Sequence, residues 1–210
     1  MTLRQTIDAS KPKIVRTTYR GVARRAQILE VATNLFLEHG YAGVSVDAIV
    51  NNVGGSKTNV YSHFGNKEGL FTAVVTELCE KFQHDFLALK LEGLSVANGL
   101  RLIGKTLLRN LLKEGHIAFQ RLILGESGRY PALAEVWFEA GPHRSRSRIA
   151  EFLETKRQQG EFKQQDSLVC AEMFHSMLVF DPVHLMMIGR PFNAKAVDQH
   201  IEHCIEVLLK

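Results

Sequence analysis

Apolar residues near the start of the chain recur at every third or fourth position, the spacing that places them on one face of an α-helix. Stripes of this kind cover residues 28–36 and 46–53, and Gly40 lies where the first one ends. After two glycines at positions 54–55, a shorter stripe spans residues 60–64. Since glycine favours turns and helix ends, the pattern predicts three consecutive helices separated by glycine-containing turns.

The rest of the chain repeats the helical spacing and contains no long alternation of apolar and polar residues, which a half-buried strand would show. Glycine or proline separates most of the apolar segments. We expect a long helix after Asn66 and further helices over residues 95–113, 116–126, 131–159, 166–189 and 194–209. The predicted fold class is therefore all-α.

Residues 45–64 combine a short helix, a glycine turn and a second short helix, the arrangement of a helix-turn-helix. The second helix of this motif enters the major groove of DNA. Its outward face carries side chains suited to base edges, because lysine donates to guanine, asparagine pairs with adenine and a threonine methyl contacts thymine. The candidate base contacts are Lys57, Thr58, Asn59 and Ser62.

Other polar residues of this segment suit phosphate contacts, which position a protein on DNA without reading its sequence. Ser45 and Ser56 lie at predicted helix starts, where the helix dipole favours an anion. Tyr61 and His63 have structural alternatives, as a core ring and a helix cap. The candidate set, besides the base contacts, is Arg25, Ser45, Ser56, Tyr61, His63 and Lys67.

Charge is unevenly distributed along the 210 residues. Residues 1–67 contain nine Lys or Arg and four Asp or Glu, a net charge of +5, whereas residues 68–210 have a net charge of −1. A localised positive charge favours binding to a polyanion, because each neutralised phosphate releases counterions. Residues 1–19 lack periodicity, and we expect a flexible basic arm there; a solvated tail that binds nothing is the alternative.

Composition argues against several other classes of protein. Three scattered cysteines without a CxxC pair make neither a disulfide framework nor a cysteine-rich zinc site. No uninterrupted apolar run approaches the roughly 20 residues that cross a bilayer. Since nucleophile-elbow, phosphate-loop, HExxH and dinucleotide motifs are also lacking, we expect a cytoplasmic protein that is no enzyme and has no cofactor and no membrane partner.

The motifs of residues 24–71 resemble the DNA-binding domain of the TetR family of transcriptional regulators. In order they are I-L-x-x-A-x-x-L-F, H-G-Y, S-V-D-A-I, S-K-x-x-V-Y-x-H-F and N-K-E-G-L. The resemblance implies an N-terminal three-helix DNA-binding domain over residues 20–67. The side chains that it places against DNA are Lys57, Thr58, Asn59, Tyr61, His63 and Lys67.

Two departures from the family pattern are visible. Gly55 stands where the family usually has an apolar residue, and Thr58-Asn59 stands where it often has Gly-Thr. We expect the first to loosen the turn and the second to change the base preference.

The C-terminal part, over residues 121–160, resembles the AefR-like subgroup of this family, with R-Y-P-A-L and F-x-A-G-P-x-R as its motifs. The resemblance implies that residues 68–210 form an effector-binding domain that dimerises through the last two helices. Packing within one subunit is the alternative for the apolar residues concerned. The candidate interface residues are Leu168, Val197, Ile201, Ile205 and Leu208. The candidate ligand contacts, for which ordinary core packing is the alternative, are His116, Phe119, Trp137, Met173, His175 and Met177.

These features together predict a homodimeric repressor that binds a palindromic double-stranded DNA operator and is released by a small-molecule effector of unknown identity. A metal-responsive regulator is the alternative, because His200, His203 and Cys204 lie at positions i, i+3 and i+4 of one predicted helix. A helical adaptor that binds no DNA would leave the basic N-terminal third unexplained.

Overall fold

The computed structural model describes residues 19–210; the predicted basic arm, apart from Tyr19, lies outside the described residues. Helices make up this part of the chain, which contains no β-strand, so the all-α prediction is confirmed. The helices are α1 (Tyr19–Gly43), α2 (Val46–Val53), α3 (Lys57–Phe64), α4 (Lys67–Leu87), α5 (Val96–Leu111), α6 (Glu114–Ser127), α7 (Pro131–Phe138), α8 (Arg144–Gln158), α9 (Ser167–Met187) and α10 (Ala194–Leu209).

Polar side chains determine where the short N-terminal helices begin. Ser45, Ser56 and Asn66 precede α2, α3 and α4, and each side-chain oxygen accepts a hydrogen bond from the backbone N–H three residues further on. The donor–acceptor distances are 3.0, 3.3 and 2.7 Å. Each cap satisfies an N–H that has no partner within its helix. The predicted helix-turn-helix therefore has the expected local structure.

Two apolar clusters form the core. One joins α1–α4 with α6 and α7 and includes the fully buried Phe36, Phe71 and Phe119. The other joins α5, α8, α9 and α10 with the end of α4, and includes the fully buried Phe174. Among the three N-terminal helices, α1 packs directly against α6, so a displacement of α6 acts first on α1.

The predicted helix over residues 131–159 is divided. A π-helical turn, Glu139–His143, separates α7 from α8 and contains Pro142. Proline has no N–H to donate, and its ring clashes with the preceding turn of an α-helix. The wider π turn accommodates it and is a feature frequent at functional sites.

Three of the predicted dimer contacts are buried within the single chain. Ile201, Ile205 and Leu208 are only 0%, 4% and 7% exposed in the single chain, because this face of α10 packs into the core with α5 and α9. A side chain that is already buried adds no area to an interface between subunits. Val197 is half-buried against the same cluster, whereas Leu168 is exposed.

Helix α9 has apolar residues on two faces. By length and mean hydropathy it would suffice to cross a membrane, a property that the sequence prediction missed because Glu172 and Asp181 interrupt the apolar run. Its inner face, with Phe174 and Leu178 fully buried, packs in the core. Its outer face carries the exposed side chains of Val169, Met173 and Phe180, and we call these three residues the outer stripe.

Candidate nucleic-acid interface and ligand cavity

Helix α3 has one buried face and one open face. Val60 is buried and Phe64 packs beside it in the first cluster. The remaining residues turn away from the core, so that one short helix presents a continuous row of hydrogen-bonding groups. Lys57, Thr58, Tyr61 and Ser62 are exposed, and Asn59 and His63 are partly buried.

Lys57 pairs with Asp47 on the preceding helix. The Nζ and Oδ2 atoms are 2.9 Å apart, and both side chains are largely exposed. The hydrogen bond and the charge of Asp47 raise the pKa of Lys57, so that the ammonium group stays protonated. Because exposed pairs of this kind are weak, the lysine is available to a DNA acceptor.

Arg24 ties the glycine turn to α1. Its Nη1 donates to the Val53 carbonyl at 3.0 Å, its Nη2 to the Gly54 carbonyl, and its Nε to Asn59 Oδ1 at 3.4 Å. Gly55 has a φ of 89°, and a Cβ at this position would lie 2.7 Å from Arg24 Nη2. The positive φ favours glycine at this position, and Arg24 holds the turn through its hydrogen bonds to the Val53 and Gly54 carbonyls.

Sequence reasoning missed Arg24 because the contact joins residues about 30 positions apart. An arginine on the exposed side of an amphipathic helix has many ordinary explanations. No spacing rule links it to a turn in another element. Only the way in which α1 packs against the turn between α2 and α3 brings the groups together.

The remaining candidate DNA contacts lie around the same end of the molecule. The guanidinium carbon of Arg25 lies 5.0 Å from the centre of the Phe64 ring, and Lys67 Nζ lies 4.3 Å from the centre of the Tyr41 ring. Desolvation lowers the pKa of Lys67. Ser45 and Ser56 are exposed, and each cap uses the hydroxyl oxygen as an acceptor, which leaves the hydroxyl hydrogen as a donor.

A separate cavity of about 250 Å³ lies between α4, α5, α6, α8, α9 and the π turn. Its walls are mainly apolar and aromatic. Four predicted ligand contacts line it, namely His116, Phe119, Trp137 and His175, together with side chains that the sequence did not single out, among them Phe82, Gln83, Leu107, Leu111 and Arg146.

Two predicted ligand contacts do not belong to this cavity. Met173 is 54% exposed on the outer stripe, and Met177 is half-buried against the second cluster. On α9 the cavity is lined instead by His175, Ser176, Val179, Phe180, Val183, His184 and Met187. The prediction grouped the methionines with His175 because they are close in sequence, which does not place them on one face.

Three polar atoms of the cavity lining are buried without a hydrogen-bond partner. They are Gln83 Oε1, His116 Nδ1 and Arg146 Nε. The amide nitrogen of Gln83 donates to the carbonyls of Ala140 and Gly141, at 3.0 and 2.6 Å, which holds its oxygen in place. Buried polar groups without partners are rare in folded proteins and call for a specific explanation.

Burial lowers the pKa of His116 and of His175 from 6.5 to about 4, and the charge of Arg146 adds to this effect at His175. The folded protein therefore binds fewer protons than the unfolded chain below pH 6.5, and stability falls as the pH falls through this value towards 4. We expect the free energy of unfolding to decrease between pH 7 and pH 5 by about 2 kcal/mol for each histidine.

Urea unfolding at the two pH values measures this effect. The variant His116→Gln should lose roughly half of the pH dependence that His116 and His175 together cause. His84→Gln is the matched control, since the His84 side chain is 82% exposed. An undiminished pH dependence in His116→Gln would contradict the assignment.

The cavity and the N-terminal helices are joined through α6. This helix lines the cavity with His116, Phe119 and Gln120. Near its C-terminal end, Glu126 Oε1 accepts a hydrogen bond from the Tyr41 backbone N–H at 3.0 Å. The contact falls just after Gly40, where the backbone of α1 leaves the helical conformation with a φ of 72°.

The metal site that the sequence offered as an alternative would use His200, His203 and Cys204. Among residues 19–210, no three His, Cys, Asp or Glu side chains are placed to hold one metal ion. His200 Nε2 instead contacts the carbonyls of Met177 and Leu178, at 3.0 and 3.1 Å, while His203 is exposed to solvent. Within the single chain, His200, His203 and Cys204 therefore do not form a metal site.

Comparison with family models gives two matches. Residues 28–74 match the model described as bacterial regulatory proteins, tetR family. Residues 98–210 match the model described as AefR-like transcriptional repressor, C-terminal domain. The second match covers more than half of the chain.

Curated relatives match only the N-terminal part. The repressor AcnR of Corynebacterium diphtheriae is 44% identical over 54 residues, which are 26% of this chain and 28% of the relative. The repressor ComR of Escherichia coli is 38% identical over 58 residues, 28% of each chain. The activator FasR of Mycolicibacterium smegmatis is 38% identical over 52 residues, 25% of this chain and 24% of the relative. The chain thus spans about a quarter of the length of these relatives.

Solved structures match nearly the whole chain. The flavonoid-responsive regulator FrrA aligns with a TM-score of 0.80 and 32% identity, covering 90% of this chain and 96% of the other. A TetR-family regulator from Mesorhizobium loti aligns with a TM-score of 0.81 and 27% identity, covering 91% and 98%. The likeness includes both the N-terminal helices and the helical body that contains the cavity.

Proposed function

This chain belongs to the TetR family of transcriptional regulators, and from that premise we propose that it is a homodimeric repressor that binds a palindromic operator and is released by a small molecule. The observation that carries the proposal is the open face of α3, which presents hydrogen-bonding side chains while Val60 anchors the helix in the core. Repression rather than activation is chosen because most of the curated relatives are repressors.

We propose two classes of DNA contact. Lys57, Thr58, Asn59 and Ser62 contact base edges, and Arg24 orients Asn59 for this task through its hydrogen bond to Oδ1. The phosphate contacts come from the ends of α1–α4, where charged side chains and helix N-termini favour anions. They are Arg25, Ser45, Ser56, Tyr61, His63 and Lys67. Residues 20–67 form the DNA-binding part in this proposal, and residues 68–210 the sensing and dimerising part.

The dimer interface that we propose is built on the outer stripe of α9. Val169, Met173 and Phe180 are 48%, 54% and 60% exposed and follow one another at spacings of four and seven residues. An apolar stripe of this kind on a soluble helix indicates a partner surface. A second copy fits best, because a palindromic operator requires a two-fold symmetric protein. Leu168 on α9 and Val207 on α10 are further exposed apolar side chains.

We propose that the cavity binds the effector. The similar structure FrrA is named for its response to flavonoids, and aromatic walls here favour a flat aromatic molecule as well. Cavities of about 150 Å³ hold one benzene ring. A cavity of about 250 Å³ therefore has room for a ligand of two rings.

Release follows from the connection through α6. A ligand that moves the cavity-lining part of α6 also moves Glu126 and the Tyr41 backbone that it binds. In a dimer, the two α3 helices must lie about 34–36 Å apart to enter successive major grooves. A ligand that prefers a different spacing weakens DNA binding by its differential affinity, and about 1–3 kcal/mol of coupling suffices for a response.

Selection of bound sequences from a random duplex library tests the function. At about 150 mM salt, non-specific phosphate binding is weakened. We expect a palindrome whose half-sites lie about one helical turn apart. Recovery of no motif, with binding governed by salt alone, would contradict a sequence-specific regulator and leave a general polyanion-binding protein.

We also propose a cytoplasmic location, in keeping with this class of bacterial regulator.

A further inference from the structure

We propose that the cavity selects an anionic, hydroxylated aromatic ligand, with Arg146 pairing with the negative charge and His116 and Gln83 bonding the remaining polar groups. The inference rests on the proposed role of the cavity as the effector site. It adds the chemistry that distinguishes one aromatic ligand from another.

Arg146 differs from its neighbours on α8. Arg148 and Arg157 pair with Glu151 and Glu154, at 3.3 and 2.7 Å. Among the described residues, no carboxylate lies within 4.0 Å of Arg146, and its Nε is buried without a hydrogen-bond partner. Its guanidinium carbon lies 5.5 Å from the centre of the Phe138 ring, which fixes the group beside the cavity. A half-buried guanidinium group in this state is suited to an anion.

The charge of the cavity lining also favours an anionic ligand. Its residues include Arg146 but no Asp, Glu or Lys. Burial keeps His116 and His175 neutral near pH 7 by lowering the pKa of each to about 4. Arg146 is therefore the permanent charge of the lining, and an apolar surrounding strengthens its attraction for an anion.

The other two unpartnered atoms define further ligand groups. The amide nitrogen of Gln120 lies 2.9 Å from His116 Nε2, so this ring nitrogen accepts and Nδ1 carries the hydrogen. His116 Nδ1 is thus a buried donor that needs an acceptor. Gln83 Oε1, held by the bonds of its amide nitrogen to Ala140 and Gly141, is a buried acceptor that needs a hydroxyl donor. A hydroxyl group and an anion on one aromatic body meet these requirements.

The test uses 6-hydroxy-2-naphthoate, a two-ring probe that carries both groups, and isothermal titration calorimetry at pH 7.5. Its methyl ester lacks the charge, and 2-naphthoate lacks the hydroxyl. We expect the wild-type protein to bind the acid at least about tenfold more tightly than the ester, since hydrogen bonds to charged groups are the strong ones. Loss of the hydroxyl should weaken binding by about tenfold, because Gln83 Oε1 then stays buried without a partner.

Two variants test whether Arg146 causes the preference for the acid over the ester. Arg146→Gln should bind the acid about tenfold or more weakly than the wild type and the ester unchanged, which also shows that the cavity is intact. Arg144→Gln is the matched control, because Arg144 is exposed and lies outside the cavity lining. It should keep the wild-type preference.

Equal binding of acid and ester by the wild-type protein would overturn the proposal, as would a preference that survives in Arg146→Gln. Failure of all three probes to bind would also overturn it, and operator binding by the ligand-free protein would then still stand. Tight binding of the acid without any loss of operator binding would support the proposed ligand class. It would contradict the proposal that the ligand releases the protein from its operator. The two proposals therefore fail separately.

Discussion

Replacing Val169 and Met173 together by glutamate is expected to convert the protein to a monomer and to weaken operator binding by about a thousandfold. Both side chains are about half exposed in the single chain, so the substitution costs little of the core. At the proposed interface, however, four carboxylates would be brought together in an apolar setting, and their desolvation opposes association. A monomer binds one half-site and loses the high effective concentration that the linked second half-site provides.

Sedimentation velocity and titration of the selected palindrome measure the two effects. Phe180 is left unchanged because it also lines the cavity. Ala132→Glu is the control, since it adds one negative charge at an exposed position on α7, which is not part of the outer stripe. A double variant that remains dimeric and binds the palindrome normally would place the interface elsewhere.

Exchange of Tyr61 for alanine is expected to reduce operator affinity by about a hundredfold or more. The side chain is 42% exposed, so its loss affects DNA binding more than folding. A hydrogen bond to a charged phosphate contributes about 1.5–3 kcal/mol, and a two-fold symmetric dimer loses the contact twice. Because phosphate contacts do not read sequence, binding to non-operator DNA should weaken as well.

The variant Tyr61→Phe separates the hydroxyl from the ring. If the hydroxyl contacts phosphate, Tyr61→Phe should approach the affinity of Tyr61→Ala in a fluorescence anisotropy titration. Wild-type affinity in Tyr61→Phe would assign the contribution to the ring instead. Wild-type affinity in both variants would remove Tyr61 from the proposed DNA interface.

The helix-turn-helix could be predicted because its determinants are local. Ser45, Ser56 and Asn66 act as caps for backbone groups only three residues away, and these bonds form as α2, α3 and α4 form. The buried position of Val60 follows from the same helical period that suggested it. The open face of α3 is then the complement of the buried one, which is why the candidate DNA contacts lie together.

The body of the molecule could be predicted only in part. The apolar stripe of α10 correctly indicated a buried face, but periodicity does not say what covers that face. Ile201 and Ile205 are covered by the same chain, and the outer stripe of exposed apolar residues belongs to α9 instead. Because α9 is apolar on two faces, its apolar residues do not show a clear helical repeat. Spacing alone therefore could not show that Met173 and His175 lie on different faces.

The sequence by itself determined the all-α class, the caps of α2, α3 and α4, the turn between α2 and α3, and the family to which the chain belongs. Each depends on residues within about one or two helical turns of one another. Only the tertiary structure decided that Arg24 holds the Gly55 turn, that α9 presents the outer stripe, and that Gln83, His116 and Arg146 share one cavity. These arrangements depend on how separate helices pack, and packing angles are not encoded in the period of any one helix.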